Sequence, residues 1–172
     1  MFTFLDQIDA GIFQQIPIDC GGSLFVSPMP FGPYDTLNRV MRCYRRRRVQ
    51  RVIVLVTDDE IRRKCKRNLM VAYRKAGIQV EHEPVADLTA PKVQQLEEIV
   101  EATADWLKTE RVAVHCNAGV GRTGVVVGCL AALMLHLRGE QALDFVHEHM
   151  HVNLTNEQKR FINDWADRRF HG

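Results

Sequence analysis

The stretch from Val112 to Gly124 most constrains how this chain can fold. It opens with an apolar, β-branched run, which predicts a short buried strand. A glycine-containing loop follows, and from Thr123 onward the residues are apolar on every side, as is typical of a helix at the centre of a core. The loop therefore joins the end of a strand to the start of a helix, where several backbone N–H groups can converge on one anion.

The side chains of this loop suit the binding and transfer of a phosphoryl group. Arg122 can hold two phosphate oxygens with its planar guanidinium, and Cys116 lies where the positive end of the helix favours a nucleophilic thiolate. Thr123 can donate its hydroxyl to the sulfur and help it to leave. Two glycines permit the backbone angles of an anion cradle. The residues predicted to bind the phosphate group are Asn117, Ala118, Gly119, Val120, Gly121 and Arg122. We therefore predict two-step transfer through a cysteinyl-phosphate.

Cleavage of a phosphate ester also needs a proton donor for the leaving oxygen. Asp87 is the candidate, because it lies between Pro84 and Pro91 in a loop that follows a predicted strand and can approach the cradle. The same carboxylate would then act as the base toward the hydrolytic water. The alternative role of Asp87 is to cap the following helix, but Thr89 and Pro91 are better placed for that.

Two sequence patterns resemble those of a known enzyme class. His-Cys, five residues and Arg-Thr-Gly, at positions 115–124, resemble the signature of the cysteine-dependent protein tyrosine phosphatases. The run from His82 to Asp87, with Pro91, resembles the general-acid loop of the small dual-specificity phosphatases, most of all the kinase-associated (cyclin-dependent kinase inhibitor 3) type. The resemblance implies that Cys116 is the nucleophile, that Arg122 binds phosphate, that Asp87 is both acid and base, and that no metal or other cofactor takes part.

The same resemblance implies a protein phosphatase whose substrate is a phosphorylated protein. The chain is too short for the elements that build a deep phosphotyrosine pocket, so phosphoserine and phosphothreonine are expected as possible substrates beside phosphotyrosine. Two alternatives stay open. The first is a phosphatase of inositol phosphates or phosphoinositides, although the loop interior lacks the lysines of the lipid phosphatases. The second is a module that binds phosphoproteins without turnover.

Further side chains are predicted to support the site. His115 is expected to hydrogen-bond backbone near the cradle. Many relatives carry a water-positioning glutamine where this chain has Leu154, so either Gln158 takes that role or the role is absent. One carboxylate after the central strand could pair with Arg122, with helix capping as the alternative, and the candidates are Asp58, Asp59 and Glu60.

Alternating strands and helices predict an α/β fold, with a mostly parallel central sheet flanked by helices and the site at the carboxyl ends of the strands. The length of 172 residues suits one domain, so residues 1–172 are predicted to form a single phosphatase domain. The predicted strands are residues 13–18, 24–26, 52–56, 78–81 and 112–114. The predicted helices are residues 34–47, 68–76, 92–108, 140–149, 155–169 and one from 123, with a capped turn at 58–60.

Charge is unevenly distributed along the chain. Most of the 23 lysines and arginines lie between Arg39 and Lys75. They can simply be the solvated faces of helices, or the Arg39–Arg51 segment can attract an acidic partner. Nucleic acid is not expected as a partner, because aromatic residues do not interleave this run in the way that a stacking platform would require.

Composition also bears on location. No uninterrupted apolar run reaches the length needed to span a membrane. The five cysteines are odd in number and widely spaced, which favours reduced thiols and a reducing compartment. We therefore expect a cytoplasmic location. A metal site at His147 and His151 is not expected, because no further ligand is evident.

Overall fold

The computed structural model describes residues 11–170. Five strands form one sheet in the order β1-β2-β5-β3-β4. The strands are β1 (Gln14–Ile16), β2 (Ser23–Ser27), β3 (Arg51–Val54), β4 (Gln79–His82) and β5 (Arg111–His115). Strand β1 runs antiparallel to β2, and every other neighbouring pair is parallel. The expected α/β fold with a mostly parallel sheet is confirmed.

Helices cover both faces of this sheet. They are α1 (Val40–Arg46), α2 (Asp58–Lys64), α3 (Leu69–Lys75), α4 (Val93–Trp106), α5 (Arg122–Leu135), α6 (Gly139–His149) and α7 (Asn156–Arg169). One core lies between the sheet and α4 to α7, and the other lies on the side of α1 and α3. Helix α5 packs against α4, α6 and α7, which explains why it is apolar all round.

Strand β5 lies at the centre of the sheet, between β2 and β3. Its side chains alternate between the two cores: Val112 and Val114 face one, and Ala113 faces the other. The register pairs His115 with Ser27 of β2 and with Val54 of β3, so the carboxyl ends of three parallel strands meet at one edge. The loop after β5 therefore begins in the middle of that edge.

The predicted helix over residues 34–47 is wrong in its first half. Helix α1 begins only at Val40, and residues 36–38 form a 3₁₀ turn in which Leu37 has φ 64°. The cause is Asp35, a buried carboxylate that accepts hydrogen bonds from the backbone N–H groups of Phe31 and Val40. These two bonds fold the chain into a turn that competes with helix formation.

The other predicted elements are confirmed, with boundaries that differ by a few residues. Residues 58–60 are more than a turn: they open α2, where the side chains of Thr57 and Glu60 form a reciprocal capping box. Thr155 and Gln158 form a second reciprocal capping box at the start of α7.

Length and composition give a mixed result for membrane spans. Within residues 11–170, no single helix is long and apolar enough to cross a bilayer, whereas α5 and α6, which meet at 118°, reach the required length together.

Candidate active site

The loop between β5 and α5 is folded around the Cys116 thiol. Cys116 is only 3% exposed, and the Gly119 backbone N–H donates a hydrogen bond to its sulfur over 3.2 Å. Gly119 has φ +80°, and a Cβ atom there would lie 2.5 Å from the Ser27 carbonyl oxygen. Glycine is therefore required at this position both for its conformation and for the close approach to β2.

The surrounding chain anchors this loop at both ends. The Met29 N–H donates to the Asn117 carbonyl oxygen over 3.1 Å, and the Asn153 N–H donates to the Val120 carbonyl oxygen over 3.2 Å. The loop is thus held between the segment after β2 and the segment before α7. The backbone of the cradle is fixed before any anion arrives.

Arg122, the first residue of α5, is 2% exposed and points its guanidinium at Glu60. Nη1 and Nη2 donate to the two carboxylate oxygens of Glu60 over 2.7 and 2.9 Å, and Nη1 also donates to the Val85 carbonyl oxygen over 2.8 Å. This bidentate pair sets the orientation of the guanidinium. Of the three candidates it is Glu60 that pairs with Arg122, and because Glu60 also caps α2, both roles expected for this cluster are filled.

The charge of Glu60 is stable in this setting. Burial would raise the pKa of its carboxyl, but hydrogen bonds from Arg122 and from the Thr57 backbone, together with the charge of Arg122, lower the pKa to about 2. Glu60 is therefore a carboxylate at neutral pH, and Arg122 keeps a counter-ion.

The structure brings Asp87 to the same guanidinium. The Asp87 Oδ1 atom lies 3.1 Å from Nη2 of Arg122, and the Leu88 N–H donates to the same oxygen over 3.1 Å. The Asp87 side chain is 53% exposed, in contrast to the buried Arg122. Both residues line a cavity of about 180 Å³ together with Cys116 and Gln158. The nucleophile, the phosphate-binding arginine and the proton donor predicted from the sequence thus share one cleft.

His115 makes the expected backbone hydrogen bond, with Nδ1 3.0 Å from the Cys116 carbonyl oxygen. A carbonyl oxygen only accepts, so Nδ1 carries the proton, and Nε2 accepts from the Tyr73 hydroxyl at 2.7 Å. Burial lowers the pKa of His115 to about 4, so the ring is neutral at neutral pH. Tyr73 was missed at the sequence level, because a tyrosine among apolar helix residues gives no signal that separates it from an ordinary core aromatic.

Thr123 is buried, and its hydroxyl oxygen has no hydrogen-bond partner among the residues that the structure describes. The expected hydrogen bond to Cys116 is therefore not formed here, and the role of Thr123 in the release of the sulfur stays a prediction. The side-chain oxygen of Asn117 is likewise buried and unpaired within this part of the chain.

Gln158 lies beneath the acid loop, residues 84–91. Its Nε2 donates to the Thr89 carbonyl oxygen over 2.9 Å, and its Oε1 accepts from the Thr155 N–H over 3.1 Å. Both ends of the buried amide are therefore occupied in tying the acid loop to the start of α7. Its predicted role in positioning water stays a prediction. Across residues 11–170, no group of three or more histidine, cysteine, aspartate and glutamate side chains is placed to hold a metal ion.

A cradle of backbone N–H groups, a buried arginine and a cysteine at the carboxyl edge of a parallel sheet define the cysteine-dependent phosphatase class. A family model described as "Polymorphic toxin system, DSP-PTPase phosphatase" matches residues 32–138 of this chain. The chain belongs to this family, and the predicted resemblance to dual-specificity phosphatases is confirmed.

Individual relatives agree with this assignment. Human cyclin-dependent kinase inhibitor 3 is 31% identical over 124 residues, which are 70% of this chain and 58% of the human protein. The chain thus spans less than two thirds of the length of this curated relative. The fold of this chain also matches that of the kinase-associated phosphatase with its catalytic cysteine replaced by serine. The TM-score is 0.79 at 21% identity, and the match covers 93% of this chain and 96% of that chain. Tk-PTP in its active form matches with a TM-score of 0.70 at 28% identity, over 90% and 97%.

Proposed function

We propose that this chain is a protein phosphatase domain that hydrolyses phosphotyrosine, and also phosphoserine and phosphothreonine, through a cysteinyl-phosphate. One observation supports this most directly. The buried Arg122, held by Glu60, lies in one cleft with Cys116 and Asp87. A fixed cation beside a nucleophile stabilises the charge that develops on a transferring phosphoryl group.

In the first step the Cys116 thiolate attacks phosphorus, and the bond between phosphorus and the ester oxygen breaks. The Asp87 carboxyl gives its proton to the leaving oxygen. A substrate phosphate would compete with Asp87 for the Arg122 guanidinium, because Nη2 already lies 3.1 Å from the Asp87 Oδ1 atom. Binding of the phosphate dianion to this fixed cation therefore displaces the more exposed Asp87 carboxyl and frees it for proton transfer.

In the second step water attacks the cysteinyl-phosphate. Asp87, now a carboxylate, takes a proton from this water, the bond between phosphorus and sulfur breaks, and Cys116 leaves as the thiolate. Thr123 can donate its hydroxyl to the departing sulfur, because it lies in the first turn of α5 and its oxygen has no other partner among the described residues. The cycle returns every group to its starting state without a cofactor.

The lining of the cleft favours a substrate with one phosphate group. Arg122 is the one lysine or arginine among the described residues that line it. An inositol polyphosphate or a phosphoinositide presents several phosphates and calls for several cations. A phosphorylated protein side chain needs only one, which supports a phosphoprotein as the substrate.

We also propose a role for part of the arginine-rich Arg39–Arg51 segment. Arg42, Arg45 and Arg48 are exposed and are proposed to attract an acidic surface on a partner protein. Arg51 does not belong to this surface, because it is half-buried, pairs with Glu81 and Glu110 and lies over the Trp106 ring. A reducing compartment such as the cytoplasm is also proposed, since a nucleophilic thiolate is lost on oxidation.

The test is the initial rate of phosphate release in EDTA. The substrates are a phosphotyrosine peptide, a phosphothreonine peptide, a soluble phosphoinositide and inositol hexakisphosphate, and Cys116→Ser is the control. Peptide turnover that disappears in the variant supports the proposal, and the ratio of the two peptides measures specificity. Preference for the inositol compounds would overturn the proposed substrate class, and absence of turnover at every pH would leave only binding.

A further inference from the structure

A second cavity of about 570 Å³ opens beside the catalytic cleft. The two share part of their walls, namely Tyr34 and Asn153 outside the cradle and Ala118 and Val120 within it. Tyr34 is 55% exposed and lines both the cleft and the cavity. Tyr34 thus lies between a small cleft for phosphate and a larger cavity, whose volume is in the range of ligand-binding pockets in proteins.

Apolar surface makes up the larger part of the wall of the second cavity, and the exposed His151 also lines it. No aspartate, glutamate, lysine or arginine of the described chain lines it. Its inner wall includes Phe13, whose ring stacks on Phe25 with 4.9 Å between centroids, and the buried Met150. A rigid aromatic and a flexible thioether together form a surface that adapts to apolar side chains of different shape.

Two of the polar side chains in the wall, Gln14 and Ser27, have hydrogen-bond partners elsewhere. The Gln14 amide donates to the His149 carbonyl oxygen. The Ser27 hydroxyl donates to the Pro28 carbonyl oxygen and accepts from the Tyr44 hydroxyl, both over 2.9 Å. A charged ligand group would therefore lose hydration in the cavity without meeting an aspartate, glutamate, lysine or arginine among the described residues of the wall.

We propose that this cavity is a subsite for an uncharged apolar side chain that flanks the phosphorylated residue of a peptide substrate. The proposal rests on the protein phosphatase function proposed above and names a feature of its substrate. A peptide advances by about 3.5 Å per residue, so a side chain one to three positions from the phosphorylated residue can reach a cavity that shares walls with the cleft. Tyr34 would then lie between the two substrate side chains.

The test uses phosphotyrosine peptides that differ only in carrying leucine, alanine or aspartate at one of the three positions on either side. We expect kcat/KM to be about tenfold higher for leucine than for aspartate at one or more of these positions. His151→Trp fills the cavity from an exposed position, and Ile12→Asp places a charge in the wall. Both variants should abolish the preference, while kcat/KM for p-nitrophenyl phosphate, which occupies only the cleft, should stay within about twofold of the wild-type value.

The matched control is His147→Trp, the same change at an exposed residue of α6 that lines neither cavity. It should keep the preference. If the wild type cleaves all peptides equally, the subsite is wrong and the phosphatase function stands; if no peptide is cleaved, the proposed function itself fails. If a chain that begins at Gly11 shows the preference and the full chain does not, residues of this protein occupy the cavity and the inference is overturned.

Discussion

The phosphate cradle and the acid loop meet at Arg122, yet they are built in opposite ways. The cradle is buried and is anchored by backbone hydrogen bonds to the segments that follow β2 and precede α7. The acid loop is exposed: Asp87 is half open to solvent and Leu88, with φ 64°, is 69% exposed. The hydrogen bonds that attach it to the rest of the fold include those from Gln158 to Thr89, from Arg122 to the Val85 carbonyl oxygen and from the Val85 N–H to the Leu55 carbonyl oxygen.

This difference matches the tasks proposed for the two regions, which are stabilisation of the phosphoryl group by the cradle and proton transfer by the acid loop. Stabilisation of a phosphoryl group needs dipoles that are already oriented, because any reorganisation would add to the barrier. Proton transfer instead needs a group that exchanges between the Arg122 guanidinium and the leaving oxygen, which an exposed loop permits. We therefore expect changes in the cradle to affect both folding and rate, and changes in the acid loop to affect rate alone.

Gly119→Ala should have the largest effect. Alanine would be strained at φ +80° and its Cβ would meet the Ser27 carbonyl oxygen, so the N–H that bonds Cys116 must move. We expect kcat/KM to fall by about 10³-fold and the free energy of unfolding to fall by about 2–4 kcal/mol, measured by peptide turnover and by urea denaturation. The control is Gly77→Ala, at φ +70° with open space around it, which should lose about 1 kcal/mol and no activity. Equal effects at the two glycines would mean that the cradle is not rigid.

Asp87→Asn should lower the rate without destabilising the fold. We expect kcat to fall by about 10²-fold on a phosphotyrosine peptide, and by less on p-nitrophenyl phosphate, whose leaving group departs without a proton. The melting temperature should stay close to the wild-type value, because the side chain is exposed. Asp144→Asn, at an exposed position of α6, serves as the control and should leave both quantities unchanged. A loss that is equal for both substrates would contradict the role of Asp87 as the acid.

Acid should weaken the cradle through His115. Its pKa is about 4 in the folded protein against about 6.5 in an unfolded chain, so the unfolded state binds more protons between these values. The free energy of unfolding should therefore fall by about 3 kcal/mol as the pH drops from 6.5 to 4, as seen in urea denaturation at each pH. His115→Gln should remove this slope, and the loss that arises from Glu60 should remain below pH 4.5. An unchanged slope in the variant would show that His115 is not buried as a neutral ring.

Gln158→Leu should have the smallest effect, confined to the acid loop. Without the amide, the Thr89 carbonyl oxygen and the Thr155 N–H lose their partners, and kcat should fall by about tenfold with little change in KM. In the Asp87→Asn background the same change should cost almost nothing in rate, since both act on one proton transfer. Gln141→Leu is the control, because Gln141 makes the equivalent capping bond to the Arg138 N–H far from the site. Additive losses would assign Gln158 to a separate step.

The positions of the predicted site residues could be found from the sequence, because the motif depends on the spacing of a few neighbouring residues. A thiol and a guanidinium six positions apart, between a β-branched strand and an apolar helix, determine the cradle, and all of these features occur within thirteen consecutive residues. The caps at Thr155 and Asn68 were predictable for the same reason, since a cap depends on residues three positions apart. The start of α1 was not, because the buried Asp35 carboxylate organises the chain on both sides of itself and no spacing rule reports its burial.

The sequence by itself therefore determined the fold class, and it indicated the residues that are proposed as nucleophile, phosphate-binding arginine and proton donor, since each depends on a motif or on hydrophobic periodicity. The tertiary structure decided which carboxylate holds Arg122, that Tyr73 sets the tautomer of His115, and that Tyr34 divides the catalytic cleft from an apolar cavity. Glu60 and Arg122 are 62 positions apart in the sequence, and Tyr73 and His115 are 42 positions apart. Contacts of that range form only when the strands come into register, and neither periodicity nor spacing along the chain carries that information.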